Sequence, residues 1–441
     1  MKGDFSRRTF DRDQRFSRVL MQQGRVLLDA DWNEQTSILL HYIHTLVADF
    51  GGPVVPIGDA FAIRWIVDDA GNRADDDFSI EPGHLYVDGI LCENDRPTTY
   101  TTQDDLPIGD VRPFSGTMLV YLDVWERHLT HVQHATLREV ALGGPDTTSR
   151  ARVTWQVKVD PLERAMTCDE VASGWDDIVD GWQPRNSGLL QAWAARPSSG
   201  ADDACITPPD ARYRGVANRL YRVEVHTGGP AATATFTWSR ENGSVVLPIR
   251  SLAGEVAQVE TLGPDEPHSM RVGDWVEILD DRAELLGEPG VLAEVEAVDP
   301  IDRTLELAPA DGSIPVFSED ATTHPILRRW DHRHGMERGG AEATDGALVI
   351  EEDVPLRIED GIEVRFVPGP DDVDHAYRTG DHWLIPARTA TGDVEWPREN
   401  GSPRALEPFG VRHHFAPLAV LTAGADAEPT DCLAPHRDRR R

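Results

Sequence analysis

Lysine is nearly missing from this chain. Of 441 residues only Lys2 and Lys158 are lysine, and 43 basic residues face 76 acidic ones for a formal net charge of −33. A surface of that sign repels phosphate backbones, which argues against general nucleic-acid binding. No P-loop, no Gly-x-Ser-x-Gly elbow and no Gly-x-Gly-x-x-Gly opening a helix after a strand is present, so the common nucleotide and acyl-transfer signatures are excluded. Cysteine is sparse too. Cys92, Cys168, Cys205 and Cys432 stand apart with no Cys-x-x-Cys pair, which excludes a zinc ribbon and makes reduced, structural thiols the expectation. No apolar run approaches the roughly 18 residues of a membrane span. The start, Met1-Lys2-Gly3-Asp4-Phe5-Ser6-Arg7-Arg8, has no apolar secretory core, so a cytoplasmic protein is expected, one that leaves the cell only by lysis or within a particle.

One long helical pattern is present, near the amino end. Asp31 with Glu34 has the form of a capping box. From there Trp32, Leu39, Ile43, Leu46, Val47 and Phe50 recur at helical spacing, and Gly51-Gly52-Pro53 stops the pattern. The spacing predicts an amphipathic helix over about 32–49. Its apolar stripe, widened by Ile38, Leu40 and Tyr42, either lies in its own core or packs on a partner, with Asp31, Trp32, Asn33, Glu34, Leu39, Ile43, Leu46 and Phe50 as the assembly surface.

Beyond residue 53 the pattern turns to short strands between turns. Asp88-Gly89 and Asn242-Gly243 are hairpin dipeptides, the second predicting that 234–239 pairs with 245–249. Residues 118–126 read as a central strand, and 152–159 alternate with Val153, Trp155, Val157 and Val159 on one face. Residues 160–215, rich in Pro, Gly and Trp, read as a loop-rich insertion with one short helix over 189–195. Closely spaced strands over 255–310 suit a small barrel. Arg271-Val272-Gly273-Asp274-Trp275 and Arg378-Thr379-Gly380-Asp381-His382-Trp383 share turn chemistry without being a repeat. The expected class is mainly β with an N-terminal α-helix: antiparallel sandwich and barrel modules with a small inserted β-barrel. The expected divisions are an attachment segment at 1–58, a main β domain at 59–254, the small barrel at 255–310, a returning β region at 311–422 and a loose tail at 423–441.

Candidate chemistry is thin. Among 76 acids no carboxylate pair stands out. Asp331-His332-Arg333-His334 is the best metal candidate, with His324 nearby, but no further ligand has a recognisable spacing, and His413-His414 is weaker because adjacent strand residues point apart. Trp175, Trp182 and Trp193 form either a sugar-stacking surface or plugs beneath loops. The loop of Arg240, Glu241, Asn242 and Gly243 is either a plain hairpin turn or a contact loop. On the plain-turn reading, Asn242→Gly is close to neutral. The expectation is no enzyme activity, no metal and no cofactor.

Several stretches carry a resemblance. Met1-Lys2-Gly3-Asp4-Phe5-Ser6, then Arg18-Val19-Leu20-Met21-Gln22-Gln23-Gly24-Arg25-Val26 and Asp29-Ala30-Asp31-Trp32-Asn33-Glu34-Gln35 mark the head of the chain. Leu220-Tyr221-Arg222-Val223-Glu224-Val225-His226, Thr237-Trp238-Ser239-Arg240-Glu241-Asn242-Gly243-Ser244-Val245-Val246 and the run 377–390, from Tyr377 through Trp383 to Ala390, follow later. Together they resemble an uncharacterised family whose members are found with phage-tail-like contractile injection systems. The resemblance implies a structural baseplate, spike or fibre-base subunit whose partners are other subunits of a contractile particle. Homo-oligomerisation and cell-surface glycans are further partner options. Two other classes stay open: a carbohydrate-binding adhesin module, tested by polysaccharide binding, and a hydrolase of cell-envelope polymers, tested by product release.

Overall fold

The computed structural model describes residues 1–67, 73–107, 114–143, 146–183, 188–195, 212–265, 267–317, 323–333, 343–369, 376–422 and 428–438. They form a mainly β protein with several antiparallel sheets, one closed six-stranded barrel and few helices. The chain divides into two compact units that share it in alternation. One holds Met1–Arg8, Thr130–Ser149 and Asn186–Gly410; the other holds Thr9–Leu129, Arg150–Arg185 and Val411–Arg441. Among the described residues no helix is long and apolar enough to cross a membrane.

The unit containing residues 186–410 is a sandwich with a barrel. Its six-stranded sheet runs in the order Ala343–Thr344, Ala347–Val349, Thr235–Ser239, Arg219–Val225, His382–Arg388, Asp393–Val394. A three-stranded sheet of Leu356–Arg357, Ile362–Val367 and Leu189–Ala194 shares its core, where Tyr221, Phe236, Phe366 and Trp383 are fully buried. Residues 189–194 are thus a strand, not the expected helix. Leu190, Ala192 and Ala194 point inward at a period of two, and pairing with Ile362–Val367 overrides the helix propensity of Leu and Ala.

The barrel closes in the order Val246–Ala253, Val256–Val259, Thr304–Pro309, Val291–Asp299, Trp275–Leu279, Ile326–Trp330. It reaches beyond 255–310 at both ends, because closure removes the edges that a shorter module would expose. Asn242 and Gly243 do take positive φ, 52° and 65°, and Ser244 N donates to Glu241 O at 3.0 Å, as a tight turn requires. Yet the flanking strands do not pair with each other. Thr235–Ser239 lies between Arg219–Val225 and Ala347–Val349, whereas Val246–Ala253 belongs to the barrel. The turn is a junction between two sheets.

The other unit opens with helix α1, Asp29–Gly51, followed by two three-stranded sheets and one of four strands, ordered Thr430–Asp431, His414–Thr422, Thr117–Leu129, Arg150–Pro161. Met118, Val120, Leu122 and Val124 fill its core with Val157, Val159, Phe78 and Leu85. Asp88-Gly89 makes the expected two-residue hairpin, Val87 opposite Ile90, with φ of 48° and 84°. A capping box is present at Thr167 and Glu170, opening the short helix α2, Cys168–Ser173. Cys168 is bonded to Cys432, so these two thiols are oxidised rather than reduced. The bond, the strand Thr430–Asp431 and the helix Ala434–Asp438 tie down residues 428–438, which were expected to be loose.

Candidate docking surface

Helix α1 is longer than its sequence pattern, and its start is not the expected one. The residue before it is Leu28, which offers no side-chain cap. Glu34 does not reach back to close a box with Asp31; it accepts from Thr9 Oγ1 at 2.6 Å instead. Asp29 and Asp31 in the first turn still suit the positive end of the helix.

The burial of α1 is inverted relative to an ordinary surface helix. Only Ala30 and Ile38 of its 23 residues are buried. The large apolar side chains face outward: Trp32 is 78 % exposed, Leu39 53 %, Ile43 53 %, Leu46 58 % and Phe50 87 %. The side facing the chain buries Ala30 and Ile38 and otherwise carries half-buried groups that are mostly small or polar, among them Glu34, His41, Thr45 and Ala48. Monomers rarely leave more than a few hundred Å² of contiguous apolar surface in water, and larger patches mark interaction sites.

The segment before the helix adds to this surface. Thr9, Phe10 and Val19 hold it against α1, through the Glu34 contact, a ring contact of Phe10 with His41 at 5.9 Å, and Val19 N donating to Gln35 Oε1 at 2.8 Å. Phe16, Leu20, Met21, Val26 and Leu27 lie exposed along it. At the far end of α1 an open groove of about 560 Å³ is lined by Leu46, Phe50, Val55, Ile57 and Tyr86. The helix is fixed from below at Gly89. A Cβ there would come within 2.2 Å of the His44 carbonyl oxygen, so only glycine lets α1 lie this close.

Every residue expected on the assembly surface belongs to α1, and those at 32, 33, 39, 43, 46 and 50 are exposed, whereas Asp31 and Glu34 are half-buried. The sequence signal that went unread is the spacing of Trp32, Thr36, Leu39, Ile43, Leu46 and Phe50, alternately four and three residues apart.

The loop of residues 240–243 has the opposite character, because it faces inward. Asn242 is buried; its Nδ2 donates to Gly3 O at 2.8 Å and to Met1 O at 3.3 Å, and its Oδ1 accepts from Arg222 at 3.2 Å. Lys2 Nζ lies 2.7 Å from Glu224, which also pairs with Arg222. Burial alone would raise the Glu224 pKa, but Arg222 and Lys2 outweigh it and bring it down to about 2. Arg240 pairs with Asp331 and Glu359, and Glu241 with Arg219. The loop therefore locks the first residues of the chain onto the sheet.

The remaining candidates are also engaged within the chain. His332 is buried with Nε2 donating to Gly346 O at 2.7 Å, Asp331 pairs with Arg240 and Arg329, and His324 bonds Asp281. His334 lies outside the described residues, among which no three His, Cys, Asp or Glu side chains gather as metal ligands. Trp182 stacks on Tyr121 at 3.7 Å, Trp175 packs edge-on against Trp182, and Trp193 donates to Glu363. His413 and Lys158 both bind buried Asp123, at 2.6 and 2.7 Å. Burial would raise the Asp123 carboxyl, but His413 and then Lys158 hold it below the usual range. His414 bonds Asp88 instead. These are structural uses of groups that composition alone could not assign.

Comparison with curated proteins and with solved structures gives no match. The pattern of a family of unknown function (DUF6519) matches residues 1–174 and 182–433, and the chain belongs to that family.

Proposed function

From membership of that family, which brings no assigned activity, and from the inverted burial of α1, we propose that this protein is a structural subunit that enters a larger particle through α1. The particle we propose is a phage-tail-like contractile injection system, with the chain in a baseplate, spike or fibre-base position, as its resemblance to proteins found with such systems implies. The observation that carries the reading is that Trp32, Leu39, Ile43, Leu46 and Phe50 face water along one helix. Such a stripe is stable in solution only at a cost that a partner removes. The glycan-stacking reading finds less support, since Trp175, Trp182 and Trp193 all have partners within the chain.

The test is the double substitution Leu39→Asp with Ile43→Asp. Both side chains are exposed, so the isolated protein should melt like the wild type, while incorporation into particles is lost. Wild-type incorporation of the double variant refutes the reading. Deleting residues 1–53 is a poorer test, because it also strips Lys2 and Gly3 from buried Glu224 and Asn242.

A further inference from the structure

Resting on the docking role of α1, we propose that its occupant is a second copy of this chain, joined through a parallel two-stranded coiled coil of α1. The exposed positions Trp32, Thr36, Leu39, Ile43, Leu46 and Phe50 advance by 4, 3, 4, 3 and 4 residues. That is the spacing of a coiled-coil seam, not of a face packed on a sheet. In heptad terms Thr36, Ile43 and Phe50 stand at the a positions, and Trp32, Leu39 and Leu46 at d. Ile43 at a, between Leu39 and Leu46 at d, is the combination that favours two parallel strands.

Two further observations point to self-pairing. The residues flanking the seam are Asn33, Leu40 and Val47 on one side and Gln35, Tyr42 and Asp49 on the other. A single charge stands among the six, so the flanks hold no charge code by which a different helix would be selected. The helix carries Asp29, Asp31, Glu34 and Asp49 and no Lys or Arg, and of these only Asp49 stands beside the seam between Trp32 and Phe50. The area is of the right order as well. Trp32, Tyr42 and Phe50, 78, 52 and 87 % exposed and roughly 150–250 Å² each, alone bring roughly 300–550 Å² per copy, and exposed Leu39, Leu40, Ile43 and Leu46 add to this toward the roughly 800 Å² of one side of a standard interface. Equal residues then meet at equal heights about a two-fold axis, the commonest symmetry of homo-oligomers.

The experiment uses the full chain. Sedimentation equilibrium at micromolar concentration should give twice the 48.8 kDa chain mass, and Leu39→Asp with Ile43→Asp should return it to the chain mass with the melting temperature kept. Thr36→Cys should form a covalent dimer under mild oxidation, which wild type does not, because a-position residues face each other only in a parallel pair. A monomer, a trimer, or no cross-link from Thr36→Cys overturns the proposal. The two readings fail separately. A monomeric wild type whose double variant is still excluded from particles removes self-pairing and keeps docking. A dimer whose double variant still enters particles removes docking and keeps self-pairing.

Discussion

Asn242→Gly separates turn chemistry from packing. Judged as a turn residue, Asn242 sits at φ 52°, a conformation glycine adopts freely, so the change should be neutral or slightly helpful. Its surroundings say otherwise. The substitution removes the acceptor of buried Arg222 and the donor to the carbonyls of Gly3 and Met1. A hydrogen bond from a charged group contributes about 1.5–3 kcal/mol and a neutral one about 0.5–1.5 kcal/mol. Part of this is recovered where the freed carbonyls reach water, leaving a net loss of roughly 2–4 kcal/mol. At about 2–4 °C per kcal/mol for a unit of this size, the melting transition should fall by roughly 4–16 °C. Trypsin should also cut at Arg7 and Arg8 faster than in wild type. Asn242→Asp keeps an acceptor for Arg222 but turns a carboxylate toward two carbonyl oxygens, so it should be at least as harmful. A melt of Asn242→Gly within about 1 °C of wild type, with unchanged cleavage, would refute the packing argument.

Other consequences are as direct. Gly243→Val, at φ 65° with Lys2 carbons 3.5 Å from the new Cβ, should cost about 1–3 kcal/mol, read from the same melt. Gly89→Ala should push the His44 carbonyl away and raise hydrogen exchange in the second half of α1; unchanged exchange there refutes the close approach. Glu224 has a folded pKa depressed from 4.5 to about 2, so its contribution is complete above the ordinary value and is lost as pH falls from about 4.5 toward 2. Glu224→Gln should be less stable at neutral pH and flatter across that acid window, and parallel acid profiles of the two proteins contradict this. Reducing Cys168–Cys432, which are 264 residues apart, should destabilise their unit by up to about 5 kcal/mol on the chain-entropy account, seen by melting with and without reductant against Cys168→Ser.

Local chemistry was legible in the sequence, and its long-range use was not. Asp88-Gly89 and Asn242-Gly243 announced their backbone conformations because few other residues adopt positive φ. The class was legible for the same local reason: Val153, Trp155, Val157 and Val159 of the strand Arg150–Pro161 all pack on one core, although Thr154 and Gln156 between them are buried as well. The partners of the strands were not readable, since Thr235–Ser239 and Val246–Ala253 are separated by only six residues and join different sheets. Residues 189–194 misled because Leu and Ala favour a helix locally, and the strand is set by Ile362–Val367 lying beside it. Cys168 and Cys432 gave no spacing signal across the length of the chain. The docking stripe was visible as apolar spacing, but which side faced inward depended on what lay beneath, and there the chain takes in Ala30 and Ile38 beside half-buried Glu34, His41 and Thr45.

The alternation of the chain between its two units bears on how the protein emerges from the ribosome. The strands Thr117–Leu129 and Arg150–Pro161 are made early, yet the strand that covers their free edge, His414–Thr422, follows about 260 residues later. At roughly 5–20 residues per second that edge waits on the order of 15–50 s while the whole sandwich and barrel are synthesised. The first eight residues wait as well, for the strand and turn that will receive them at 222–242. The unit that holds these strands cannot finish in its turn, since all but its last segment is made before the other unit is complete at Gly410. The four-stranded sheet is completed only when His414–Thr422 has emerged, and a chaperone that shields an unpaired strand edge has its longest opportunity during that interval.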